Sequence, residues 1–184
     1  DYVISYVKFI QENCTSIIRK VIKKIPKASF KVNMDSGAVI KVKIFYDKKL
    51  QRLIIDFNGS SKQLMNNFNT PKAVTKSVII YFLRTLIKED IPLNEGCLKE
   101  VSVLIPNDSM LDPKPPAAVV AGNVETSQSI IDLLNGAIKI QAACYGTMNN
   151  ITFGDTKFGY YETICGGEGA SVNKNGSDAV HCHM

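Results

Sequence analysis

The chain has 184 residues, 45% hydrophobic and 21% charged, the balance of an ordinary soluble globular domain or one large piece of a bigger one. No apolar run approaches the roughly 20 residues of a membrane-spanning helix, which excludes that class. The net charge is +5, and its obvious basic cluster, Arg19-Lys20, Lys23-Lys24 and Lys27, reads as a solvated helix face: no aromatic residues interleave to stack bases, which argues against a nucleic-acid surface.

Residues 2–25 carry Val3, Tyr6, Val7, Ile10, Cys14, Ile17, Ile18, Val21, Ile22 and Ile25 at helical spacing, and Pro26 follows as a stop. Tyr2, Tyr6 and Phe9 near its start suit contacts with chain outside this piece, and a homo-oligomer is left open. From residue 28 the period changes to two. Phe30, Val32 and Met34 alternate with polar residues, then Ile40, Val42, Ile44 and Tyr46, then Leu53, Ile55 and Phe57. Asp35-Ser36-Gly37 and Asp47-Lys48-Lys49 mark the turns, so 28–57 is an antiparallel meander. The Asn-rich stretch to Pro71 reads as a loop, and Thr70-Pro71 starts a helix to about Ile87 with Thr70 as its cap. Asn94-Glu95-Gly96 is a turn, Val101, Val103 and Ile105 a short strand, and the prolines of 106–118 an irregular loop. A second long helix is expected from Glu125 to Tyr145, capped by Gly146, with Cys144 in the core. Two short strands follow near 151–153 and 158–164, then a glycine-rich loop. The expected fold class is α+β, an antiparallel sheet packed against two or three long helices, with later strands extending the sheet.

The five cysteines are scattered and include no CxxC pair. That argues against a disulfide framework and a structural zinc site, and points to a reducing compartment, hence cytoplasm.

Several separated motifs share one register. They are Asp56-Phe57-x-Gly59-x-Ser61, Asn69-x-Pro71-x-Ala73-Val74-Thr75, Asn94-x-Gly96, and Ile105-Pro106-x-x-Ser109-x-Leu111-x-Pro113. Then come Pro116-Ala117-Ala118-Val119-x-Ala121-Gly122-Asn123-x-Glu125-x-Ser127-Gln128, Glu162-Thr163-Ile164-x-Gly166-Gly167-x-Gly169-Ala170, and His181-x-His183-Met184. In this order they resemble the hydantoinase B/oxoprolinase family. The resemblance runs from about Val39 to the last residue.

The resemblance implies the B subunit, or B half, of an ATP-dependent hydrolase that opens a cyclic amide such as 5-oxoproline or hydantoin. It implies an actin-like hydantoinase A-type partner or fused half that handles ATP and Mg. No P-loop or other nucleotide motif occurs in this chain, so none of these cofactors is expected to bind here. The chain is expected to be a fragment of the family's domain, lacking its N-terminal part, where a divalent metal would sit, and its C-terminal end. The family usually has Thr where this chain has Cys182. Two alternatives are a non-catalytic assembly remnant and a carboxylase subunit related to acetone carboxylase.

Opening an activated lactam requires a base, a water and donors for an anionic intermediate. Asp56, Glu162, His181 and His183 are the catalytic candidates, with Glu125 and Glu168 as further carboxylates. Glu125 better suits the first turn of its helix, favoured by the dipole, and Asp56 also suits a strand end. His181 and His183 would share a face of a strand, as a metal pair or an acid/base pair, or belong to a disordered chain end. Asn69, Asn123 and Gln128 are the candidate substrate-binding amides, with helix capping as the other role for Asn123. Gly166, Gly167 and Gly169 form either a nest of N–H donors at positive φ or a tight turn between strands.

Overall fold

A computed structural model describes residues 2–92, 94–145 and 147–181. Helix α1 (Tyr2–Ile22) leads into three strands, β1 (Ala28–Asn33), β2 (Val39–Asp47) and β3 (Arg52–Asp56). Helix α2 (Lys72–Thr85) and a 3-10 turn (Glu95–Leu98) precede β4 (Val101–Leu104). A 3-10 turn (Val120–Gly122) enters helix α3 (Thr126–Ile138). Four short strands follow: β5 (Asn150–Gly154), β6 (Gly159–Thr163), β7 (Gly166–Gly167) and β8 (Asp178–Val180). The α+β class is as expected.

The meander forms as its alternation dictates. β2 pairs antiparallel with β1 through Phe30↔Val42 and with β3 through Ile44↔Ile55. Ile40, Val42, Ile44, Leu53, Ile55 and Phe57 point into the core, while Lys41 and Lys43 point to water. Gly37 closes the first turn at φ +81, a conformation that favours glycine. At the second turn the Asp47 carboxylate accepts from the backbone N–H groups of Lys49 (2.8 Å) and Leu50 (3.0 Å).

The fourth strand departs from expectation. β4 lies parallel to β3, with Leu53↔Val101 and Ile55↔Val103, because the chain returns through α2 rather than a hairpin. β4 thus extends the sheet as expected, but the strands after it do not. β5–β6 and β7–β8 are separate two-stranded pairs.

The helices close one core. Val78, Ile79, Phe82 and Leu83 of α2 meet Ile130, Ile131, Leu133 and Leu134 of α3, with Cys14, Ile18 and Ile22 of α1 beside them. Only the second half of the α1 stripe is buried; Val3 and Tyr6 remain 67% and 55% exposed. Thr70 is not the cap of α2. That helix begins after Pro71 without a side-chain cap, and the Thr70 hydroxyl donates instead to the Gly122 carbonyl at 3.3 Å.

Helix α3 is the largest correction. It stops at Ile138, where Lys139 turns left-handed (φ +57) and its N–H caps Asn135 O. Residues 141–145 leave the helix, and Cys144 is half-buried outside it rather than a helical core residue. The expected cap, Gly146, lies outside the described residues.

A candidate amide-binding groove at the start of the third helix

Helix α3 enters from a crowded corner. Gly122 sits where a Cβ would fall 2.1 Å from the Asn69 carbonyl oxygen, so only glycine lets the two backbones meet. The Thr126 hydroxyl donates to Phe68 O at 2.6 Å, and the Ser127 hydroxyl donates to Asn123 O at 2.7 Å. Asn69 is fully buried. Its side-chain oxygen accepts from Leu64 N (2.7 Å), and its two amide N–H groups are shared among Leu64 O (2.9 Å), Asn66 O (2.9 Å) and Ala118 O (3.0 Å). Asn69 therefore staples the loop that supports α3. Asn123 is exposed at the helix entry, and α3 starts at Glu125 without a side-chain cap.

A groove of about 530 Å³ opens along the first half of α3. Glu125, Ser129 and Asp132 line it from the helix, Val32 and Met34 from the end of β1, Phe68 from the stapled loop, and Tyr145 and Thr147 from the chain beyond α3. Glu125 and Asp132 are seven residues apart, so they share a helix face about 10 Å apart along the axis. The Thr147 hydroxyl donates to the Glu125 carboxylate. The Asp132 carboxylate accepts from Cys144 N–H at 3.2 Å and from the Gln128 side chain. Burial pushes the Asp132 carboxyl above its ordinary 3.8, against those two hydrogen bonds. The groove thus holds one carboxylate tied to a hydroxyl and one carboxyl biased toward its protonated form.

The glycine-rich segment stands directly behind the groove. A Cβ on Gly166 would meet the Tyr145 ring at 1.9 Å, and one on Gly169 would meet the Ala142 carbonyl oxygen at 1.9 Å. Ala142 N–H donates to Ala170 O at 2.8 Å, and Glu168 N–H donates to Ser177 O at 3.0 Å. None of Gly166, Gly167 and Gly169 has positive φ; Gly37 and Gly59 are the glycines that do among the described residues. The nest is therefore corrected. Glycine is used here for close approach, and Gly166-Gly167 pairs with β8 as a strand. Glu168 accepts from Lys174 (2.5 Å) and Ser177 (3.0 Å), which together hold its carboxyl below the ordinary value.

The remaining candidates stand elsewhere. Asp56 pairs across from Lys43 on the outer face of the sheet and lines a different groove with Lys41, Lys43 and Asn58. Its carboxylate accepts from Asn58 N–H (2.9 Å) and Asn58 Nδ2 (2.7 Å) in a turn that Gly59 completes at φ +91. Glu162 is exposed on β6 and accepts from the Tyr160 hydroxyl at 2.6 Å. His181 is exposed after β8, and His183 lies outside the described residues. A further cavity of about 430 Å³, between α1, Leu86–Glu89 and Ile138–Ile140, is lined by aliphatic side chains, three lysines and Glu89.

None of the predicted substrate-binding residues lines the α3 groove itself: Gln128 is buried and bonds Asp132, Gly166 and Gly169 back Tyr145 and Ala142, Asn69 and Asn123 stand at the helix entry, and Asp56 lies on the far side of the sheet. Sequence reasoning missed Asp132. Its signal was a lone acid within Ile130-Ile131-Asp132-Leu133-Leu134, one helical turn from Gln128 and two from Glu125.

The hydantoinase B/oxoprolinase family model matches residues 1–184. The chain belongs to that family. It is 41% identical to 5-oxoprolinase 1 of Arabidopsis thaliana over 98% of its own length, and spans 16% of that protein. Its fold matches an ATP-dependent caprolactamase from Pseudomonas jessenii with a TM-score of 0.75 at 20% identity, over 97% of this chain and 34% of that one. An acetone carboxylase matches with a TM-score of 0.66 at 12% identity, over 92% of this chain and 27% of that one.

Proposed function

We propose that this chain is part of an ATP-dependent hydrolase that opens a cyclic amide of the 5-oxoproline or hydantoin type, and that the α3 groove holds the ring. One observation carries the reading. A chain 41% identical to a plant 5-oxoprolinase aligns, on one helix face, two carboxyl groups in unlike surroundings. An actin-like ATPase subunit or fused half is the proposed partner, and ATP with Mg acts there.

Lactams resist water because resonance strengthens the C–N bond. Phosphorylation of the carbonyl oxygen on the partner makes that carbon electrophilic. In the groove, Glu125 takes the proton of the attacking water, oriented by the Thr147 hydroxyl. Asp132, kept toward its protonated form by burial, donates to the ring nitrogen as the C–N bond breaks, and a second water hydrolyses the resulting acyl phosphate to the carboxylate and inorganic phosphate. Gln128 and the Cys144 N–H hold the Asp132 carboxyl in place. Val32, Met34 and Phe68 give the ring an apolar wall. Among the described residues no three His, Cys, Asp or Glu side chains converge as a metal site would require. A divalent metal is proposed for the parent protein's N-terminal part. Asp56, Glu162 and His181 stand outside the groove and are assigned no step.

The test mixes the full-length parent protein with its actin-like partner, ATP and Mg²⁺, and offers 5-oxoproline and hydantoin. ATP-dependent ring opening of either supports the reading. Bicarbonate-dependent product, or a stable complex that opens neither ring, overturns it.

A further inference from the structure

Cys14 and Cys97 are 83 residues apart in sequence, yet their Sγ atoms meet at 2.8 Å. Both residues are fully buried. The approach is built in. A Cβ on Gly96 would fall 2.4 Å from the Gln11 carbonyl oxygen, so the 3-10 turn lies backbone against backbone on α1. The Thr15 hydroxyl bridges the two, its one proton shared between Gln11 O (2.8 Å) and Gly96 O (3.1 Å). A disulfide needs sulfurs at about 2.0 Å and Cα atoms within roughly 4.4–6.8 Å. This junction meets the first by closing less than an ångström.

We propose that Cys14 and Cys97 are a reversible cross-linking site. A small-molecule disulfide such as oxidised glutathione converts them to a disulfide that fixes α1 to the turn at Glu95–Leu98. The closed pair is inert, because burial and the Cys97 contact push the Cys14 thiol up to about 12. Reaction therefore begins when α1 opens. Its first turns favour this, since Tyr2, Val3, Ile4, Tyr6 and Phe9 are exposed and bury little.

One cysteine then loses its proton to solvent and attacks a sulfur of the oxidant, expelling one small thiolate and leaving a mixed disulfide. The other cysteine, also deprotonated, attacks the protein sulfur of that bond and expels the second thiolate. The two cysteines give up two electrons and two protons, and the oxidant ends as two thiols.

The test incubates the full-length protein with oxidised glutathione, alkylates it under denaturing conditions, and maps its peptides without reduction. The expected result is a reductant-sensitive peptide joining Cys14 to Cys97. The melting temperature should rise by roughly 5–15 °C, reversed by reduction. Cys14→Ser should lose both effects and Cys165→Ser should keep both. Recovery of both cysteines alkylated, a glutathione adduct stalled on either, or a cross-link through Cys144 or Cys165 overturns the proposal.

Discussion

Replacing Gly122 with alanine tests the corner that positions α3. The added Cβ would stand 2.1 Å from the Asn69 carbonyl oxygen and 2.9 Å from both Asn69 C and Thr70 Cα. All three are backbone atoms, so no side chain can swing aside. Reaching ordinary contact requires a shift of more than an ångström. Asn69 resists it, because its side chain is fixed by four hydrogen bonds to the backbone. Overpacking of this kind costs about 1–3 kcal/mol, and a rigid backbone neighbour places Gly122→Ala at the upper end. For a domain of this size the melting temperature should fall by roughly 6–12 °C. Gly159→Ala is the control, because nothing stands within 4 Å of its Cβ. Thermal unfolding followed by circular dichroism reads both. A Gly122→Ala protein that melts with the Gly159→Ala control would refute the reasoning.

Other predictions follow from single contacts. Asn69→Ala strands several buried backbone groups and should cost about 3 kcal/mol in urea unfolding; a loss under about 1 kcal/mol would contradict its role as a staple. Asp132 has a raised native carboxyl, so its contribution to stability is complete below the ordinary 3.8 and is lost as pH rises through the native value. Asp132→Asn should therefore gain stability relative to wild type on going from acid to neutral pH, and a pH-independent difference would count against burial as the cause. Glu168 is held below its ordinary 4.5, first by Lys174, so its contribution is present above 4.5 and lost as pH falls through the lowered value. Lys174→Ala should move the Glu168 titration, followed by NMR, upward, with little change in stability because the Lys174 side chain is largely solvent-exposed. An unmoved titration would remove Lys174 as the cause.

The meander was legible because its alternation is strict and its turns carry Asp35-Ser36-Gly37 and Asp47. The parallel β4 was not, since strand direction depends on the route through α2 and not on local pattern. The end of α3 was misread for a different reason. Gln141 and Tyr145 continue its helical spacing, and the left-handed residue that stops it is Lys139, not the glycine or asparagine that usually marks such a stop. That early stop brings 141–145 and Thr147 back along the helix and makes the groove, so the Asp132–Cys144 contact was invisible in a pattern that kept both on one helix. The glycines at 166 and 169 accommodate packing against Tyr145 and Ala142 rather than unusual backbone angles, which depends on contacts made only in the fold. The approach of Cys14 to Cys97 likewise arises only in the fold.

The most direct test of the groove is steady-state kinetics of Glu125→Gln in the full-length protein with its partner, ATP and Mg²⁺. Glutamine keeps the shape and the hydrogen bond to Thr147 but cannot take a proton. The account predicts a fall in kcat of about 10²–10⁴-fold, with KM little changed and the melting temperature close to wild type. Ring opening at the wild-type rate would contradict it and move the chemistry out of the α3 groove.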